Sequence, residues 1–98
     1  MKFSIIVCAY NEERVIKKCL ESLAILNYDK KKFEVLIIND GSKDNTANIV
    51  NRFIKKKLSI DFRHIHIKHA GLSIARNAGI DQSKYDKVLF IDADAIVN

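Results

Sequence analysis

No apolar run in this chain approaches the roughly 18 residues that a membrane-spanning helix needs. The opening stretch Phe3-Ser4-Ile5-Ile6-Val7-Cys8-Ala9 is too short for a signal-peptide core. A cytoplasmic protein with no membrane span in this chain is expected, at most one that meets the cytoplasmic face of a membrane as part of a longer protein. Cysteine is scarce: Cys8 lies in an apolar run and Cys19 on an expected helix, and their spacing suits neither a metal nor a disulfide. Both are expected to be buried thiols. Neither G-x-G-x-x-G nor G-x-x-x-x-G-K-S/T occurs, which argues against dinucleotide oxidoreductases and P-loop proteins. Repeats, linkers and low-complexity segments are also missing. With 98 residues there is room for one small core and not for two domains.

What is present is 48% hydrophobic and 30% charged residues, an ordinary globular balance, with a net charge of +5 that favours anionic partners. Near-continuous apolar runs at 3–9, 33–38 and 87–91 predict strands covered on both faces. The segment 62–67 alternates more and predicts a less buried strand. Between the first two runs, Val15, Ile16, Cys19, Leu20 and Leu23 recur at helical spacing. They predict a helix over about 12–26, with Asn11 as its cap and Glu12 and Glu13 in its first turn. Ala47, Val50, Phe53 and Ile54 predict a second helix, capped by Ser42 or Asp44 and ending near Lys55-Lys56-Lys57. A third follows Gly71, with Ala75, Ala78 and Gly79 small enough for close approach to a sheet.

The resulting β-α-β-α-β-α-β order predicts an α/β, Rossmann-like, doubly wound and mostly parallel sheet of order 3-2-1-4, with helices on both faces. Ligands of such sheets bind beyond the carboxyl ends of the strands where the order reverses. That rule selects Ala9-Tyr10-Asn11-Glu12, Asn39-Asp40-Gly41-Ser42 and Asp92-Ala93-Asp94. The two carboxylates of Asp92 and Asp94 suit one hard divalent ion shared with a phosphate, although an Asp after a strand equally caps a turn. Asp40 can only accept hydrogen bonds, which suits an N–H on uracil or guanine. It could as well serve the turn that follows. Arg76, with Asn77, can fork onto a phosphate or stand solvated. His64, His66 and His69 have no Cys, Asp or Glu beside them at ligand spacing, and the lysine runs 30–32 and 55–57 read as solvated ends without aromatic platforms.

Four segments together resemble the family 2 glycosyltransferases: Ser4-Ile5-Ile6-Val7 to Tyr10-Asn11-Glu12-Glu13; Asn39-Asp40-Gly41-Ser42 with Asp44-Asn45-Thr46; Gly71-Leu72-Ser73 to Ala75-Arg76-Asn77-Ala78-Gly79; and Phe90-Ile91-Asp92-Ala93-Asp94. Their order and spacing match as well. The resemblance implies the nucleotide-sugar-binding half of an A-type glycosyltransferase fold over residues 1–98, with the acceptor-binding half and its base absent. It implies a nucleotide site of Ala9, Tyr10, Asn11, Glu12, Asp40, Gly41, Arg76 and Asp92. Within it Asp40 meets the base and Arg76 lies near the sugar-diphosphate. Mn2+ or Mg2+ would be held by Asp94, with Asp92 shared between metal and ribose or sugar hydroxyls. Cys8 stands where a Pro is usual and Asn39 where an Asp is usual, which weakens a ribose contact at position 39. The implied reaction is transfer from a nucleoside diphosphate sugar, UDP-sugar favoured over GDP-sugar, to a hydroxyl of a sugar, a lipid-linked glycan or another acceptor. A non-catalytic nucleotide-binding or oligomerisation module of the same fold is the competing reading. A nucleic-acid-binding domain has only the positive charge behind it. The outer edge of the fourth strand, if uncovered, invites self-association.

Overall fold

A computed structural model describes residues 1–56 and 58–97. The strands are β1 (Phe3–Ala9), β2 (Phe33–Asp40), β3 (Asp61–Ile67) and β4 (Val88–Asp92), and the helices are α1 (Ile16–Ala24), α2 (Thr46–Ile54) and α3 (Leu72–Gln82), in strict alternation. The sheet is parallel throughout, in the order β3-β2-β1-β4. The expected topology is the one found, a Rossmann-like sheet with helices on both faces.

Alternation along the central strands divides the core. Ile5, Val7, Ala9, Val35 and Ile37 face α1 and α2, where Ile16, Cys19, Leu20, Leu23, Val50 and Phe53 close the layer. Ile6, Leu36 and Ile38 face α3 through Ala75. All eight residues of β2 are buried, as its apolar run requires. Gly79 is what allows α3 to lie this close: a Cβ there would stand 2.6 Å from Ile6 Cγ2.

Two carboxylates on the α3-facing side of β2 hold the ends of that helix. Asp40 accepts from Ala70 N at 2.8 Å and Gly71 N at 3.1 Å, at the entry to α3. Glu34, 1% exposed, accepts from Lys84 N at 2.7 Å just past its exit. Glu34 also receives Ser4 Oγ at 2.7 Å and Arg63 Nη2 at 2.9 Å. A buried charge is tolerated only with such a full set of partners.

Several expectations need correction. Helix α1 begins at Ile16 rather than 12, with Val15 and not Asn11 before it and no acidic first turn. Asn11 instead takes φ of 53°. The reason is that the N–H groups of Asn11, Glu12 and Glu13 bond to side chains of the next loop and are unavailable to start a helix. Helix α2 starts at Thr46 behind Asn45; Ser42 does not cap it, and Asp44 meets Thr46 N from one residue further out. Its last residue is Ile54, and Lys57 of the expected basic end lies outside the described residues. Lys30 is not merely solvated, since its Nζ donates to Ala24 O and Leu26 O and closes α1. Cys19 is buried, but Cys8 is half-exposed. Strand β4 is not covered on both faces: it is the edge strand beyond β1, α3 packs chiefly on β1 and β2, and Leu89 and Phe90 stay exposed. Strand β3 is less buried than its neighbours, as expected.

Candidate functional site

Parallel strands end at one rim, and there the carboxyl ends of β1, β2 and β4 enclose a cleft of about 480 Å³. Cys8, Ala9, Tyr10 and Glu12 contribute from β1 and the turn after it, Asp40 from β2, and Asp92, Ala93 and Asp94 from β4 and its turn. The start of α3 forms the remaining wall. Register explains the convergence: Cys8 pairs with both Ile38 and Asp92, so the polar segments that follow each strand emerge side by side.

Of the residues expected from sequence, Ala9, Tyr10, Glu12, Asp40, Asp92 and Asp94 line this cleft, while Asn11, Gly41 and Arg76 are not part of its lining. Asn11 is turned toward the next loop and accepts from Lys43 N at 2.8 Å. Gly41 has φ of 68° and packs against His69, where a Cβ would sit 2.6 Å from the His69 nitrogen. Arg76 lays its guanidinium over the Phe90 ring, 5.1 Å from the centroid. Asn39 is buried: its Oδ1 receives Ser42 N at 3.0 Å, which leaves its Nδ2 facing His64 Nε2 at 3.4 Å.

Asp40 is 4% exposed and already busy. Besides the two backbone N–H groups, His69 Nδ1 stands 3.1 Å from Oδ2. Oδ1 carries one of these bonds and Oδ2 two, so of about four acceptor positions on a carboxylate one remains open on Oδ1. His69 was not singled out as a site residue from sequence, yet its ring stacks on Tyr10 with centroids 4.0 Å apart and forms a flat wall of the cleft. The sequence marks it only by its place just after β3, whose carboxyl end does not lie where the strand order reverses.

Strand β4 stops at Asp92, and a turn closed by Ala95 N on Asp92 O at 2.9 Å carries Asp94. The two carboxylates therefore reach one cleft through a turn. Among the described residues no group of three or more His, Cys, Asp or Glu is arranged to hold a metal. Two carboxylates are nevertheless the protein share of a Mg2+ site that is completed by phosphate and water. Cys8, in the cleft wall, has its thiol pushed up by burial first, against the lowering effect of Arg76 and with Asp40 and Asp92 adding to the rise. Cys19, behind Asp92, is pushed up to about 11 by burial and by Asp94. Both thiols therefore stay protonated and poorly nucleophilic at neutral pH.

Comparison with known proteins gives one consistent answer. The family described as glycosyl transferase family 2 matches residues 4–98. The poly(ribitol-phosphate) beta-N-acetylglucosaminyltransferase TarS of Staphylococcus aureus is 37% identical over 98 residues, covering all of this chain and 17% of that protein. The poly-beta-1,6-N-acetyl-D-glucosamine synthase of Staphylococcus epidermidis is 38% identical over 96 residues, 97% of this chain and 22% of that protein. Among solved structures, S. aureus TarS 1-349 in complex with UDP-GlcNAc superposes with a TM-score of 0.85 at 34% identity, over 96% of this chain and 27% of that one. The mannosyltransferase PcManGT from Pyrobaculum calidifontis, in complex with GDP-Man and Mn2+, superposes with a TM-score of 0.92 at 25% identity, over 97% of this chain and 28% of that one. This chain thus spans about a fifth of the curated relatives it matches. Its fold is that of the A-type glycosyltransferases, and the chain belongs to glycosyl transferase family 2.

Proposed function

We infer that the cleft binds the nucleoside diphosphate of a sugar donor, UDP-sugar in preference to GDP-sugar, as the donor-binding half of a transferase that glycosylates a hydroxyl. The observation that carries this reading is the convergence of Tyr10 and Glu12, Asp40, and Asp92 with Asp94 around one opening at the strand ends. Asp40 offers its open Oδ1 acceptor position to a base N–H, and the Tyr10–His69 pair provides a flat surface beside it. The likeness to a structure holding UDP-GlcNAc supports uridine.

Asp94, with Asp92, would hold Mn2+ or Mg2+, and the bound cation would offset charge building on the leaving diphosphate. Without it the two carboxylates repel a diphosphate, so their presence in the cleft is itself an argument for the ion. Arg76, one turn into α3, lies close enough to influence the Cys8 thiol and supplies a second positive charge at that rim. Asp92 in this arrangement also accepts from ribose or sugar hydroxyls. No side chain of this chain is assigned as the base that takes the acceptor proton.

Calorimetric titration with UDP and GDP, in Mn2+ and in chelator, tests the reading. Tighter UDP binding with Mn2+ is expected, with that dependence lost in Asp94→Asn. Equal affinity with metal and with chelator would remove the metal role, and no binding of either nucleotide would overturn the proposal.

A further inference from the structure

The Asp44-Asn45-Thr46 segment belongs to the family pattern, yet none of its residues lines the cleft. Its partners lie in the turn after β1. Three successive backbone N–H groups of that turn are taken by side chains of the β2–α2 loop. Asn11 N donates to Ser42 Oγ at 3.0 Å, Glu12 N to Thr46 Oγ1 at 2.9 Å, and Glu13 N to Asp44 Oδ2 at 3.2 Å. Lys43 N returns a bond to Asn11 Oδ1 at 2.8 Å.

Thr46 is fully buried, and both its hydroxyl and its backbone N–H donate to Asp44 Oδ1, at 2.5 and 2.9 Å. Its Oγ1 is thus donor to Asp44 and acceptor for Glu12, a pairing that only a hydroxyl can make. The carboxyl of Asp44 is held below its ordinary range: desolvation works against this, and the bonds from the Thr46 hydroxyl, Thr46 N–H and Glu13 N–H outweigh it.

Successive N–H groups next to a residue of positive φ form a concavity that binds anions. Asn11, at φ of 53°, supplies that conformation here. Here Glu13 N meets the chain's own carboxylate at Asp44, and the hydroxyls of Ser42 and Thr46 take the other two N–H groups. We propose that Asp44 and Thr46 are positioning residues, an internal latch that fills the anion-binding turn after β1 and so fixes Tyr10 and Glu12 at the mouth of the cleft. A ligand phosphate finds these N–H groups already bonded. The latch acts on the backbone whether or not a ligand is present; only its effect on affinity rests on the nucleotide-binding reading above.

The test uses Thr46→Val, which keeps shape and loses the hydroxyl, with Thr46→Ser as the rescuing variant. Backbone amide exchange is followed by NMR, and UDP affinity is measured with Mn2+ at a temperature where all variants are folded. Glu12 N–H is expected to lose protection in Thr46→Val by about fivefold, the ratio that one net hydrogen bond gives. UDP affinity falls with it, and Thr46→Ser restores both. Unchanged Glu12 protection in Thr46→Val overturns the latch. So does a lowered melting temperature with unchanged UDP affinity, which marks a purely structural role. If the wild-type chain fails to bind UDP, the nucleotide reading fails, and the exchange data still decide the latch.

Discussion

Substituting Asp40 separates its two duties. In Asp40→Ala the N–H groups of Ala70 and Gly71 lose their acceptor together, and His69 Nδ1 keeps only the backbone oxygen of residue 40. Ala70 is exposed and Gly71 half-buried, so water reaches both and each costs about 1 kcal/mol, the low end for an abandoned donor. With the weaker His69 contact the loss is about 2–3 kcal/mol. In a domain of this size that lowers the melting temperature by roughly 10–20 °C. Asp40→Asn keeps an oxygen for Ala70 but sets an amide N–H against Gly71 N–H, and it loses about half as much. Melts followed by circular dichroism give these values, and titrations of UDP and CDP well below both transitions give the second duty. Asp40→Ala weakens UDP, while Asp40→Asn, now also a donor, shifts preference toward the cytosine edge. A melting temperature within about 3 °C of wild type in Asp40→Ala would refute the account of how α3 is entered. UDP and CDP weakening equally in Asp40→Asn would refute base reading by this carboxylate.

Gly79→Ala adds helix propensity worth about 1 kcal/mol, but its methyl group would stand 2.6 Å from the buried Ile6, and overpacking of about 1–3 kcal/mol outweighs the gain. A melting temperature above wild type would contradict that ordering. His64, bonded to Asn51 and tilted against the His66 ring, is pushed down from its ordinary 6.5 to about 4, by burial first and by His66 second. The unfolded chain therefore takes up this proton before the folded one, and stability falls as pH drops from about 6.5 toward about 4. Melts across that range should show the slope in wild type and a shallower one in His64→Gln. Strand β4 is an edge strand with Leu89 and Phe90 exposed, so antiparallel pairing of two copies about Phe90 sets Phe90 against Phe90 and Leu89 against Ile91. Light scattering of this 98-residue chain should show association that Phe90→Lys abolishes, and a clean monomer at high concentration would disprove it.

The sheet order was legible because three apolar runs, two amphipathic helices and the crossover rule leave few alternatives. Most of the cleft was legible for the same reason, since parallel strands deliver Tyr10, Asp40 and Asp94 to one rim whatever the loops do. What stayed hidden was whatever depends on contacts between loops. The periodicity that begins at Val15 says nothing of N–H groups already committed to Ser42, Asp44 and Thr46, so the helix was expected too early. His69 carried no signal of its own, because its role exists only once the β3–α3 loop closes on Asp40. Glu34 sits inside an apolar run, and nothing in that run shows that Ser4, Arg63 and Lys84 surround it in the fold. The exposure of Phe90 was equally unreadable, since a buried and an uncovered edge strand share one composition.

The placement of Glu34 and Asp40 makes β2 a ruler. Six residue steps along the strand separate them, about 20 Å, and the eleven-residue helix they bracket spans about 16 Å, leaving a short turn at each end. One added or deleted helical turn changes the second length by about 5.4 Å and leaves the first untouched, so one carboxylate would have to let go. The stretch from Ala70 to Lys84 is therefore locked to a fixed gauge, and length changes in relatives of this chain should accumulate outside it. Sequence drift there is free to alter side chains on the outer surface of α3, but not to alter its count of residues.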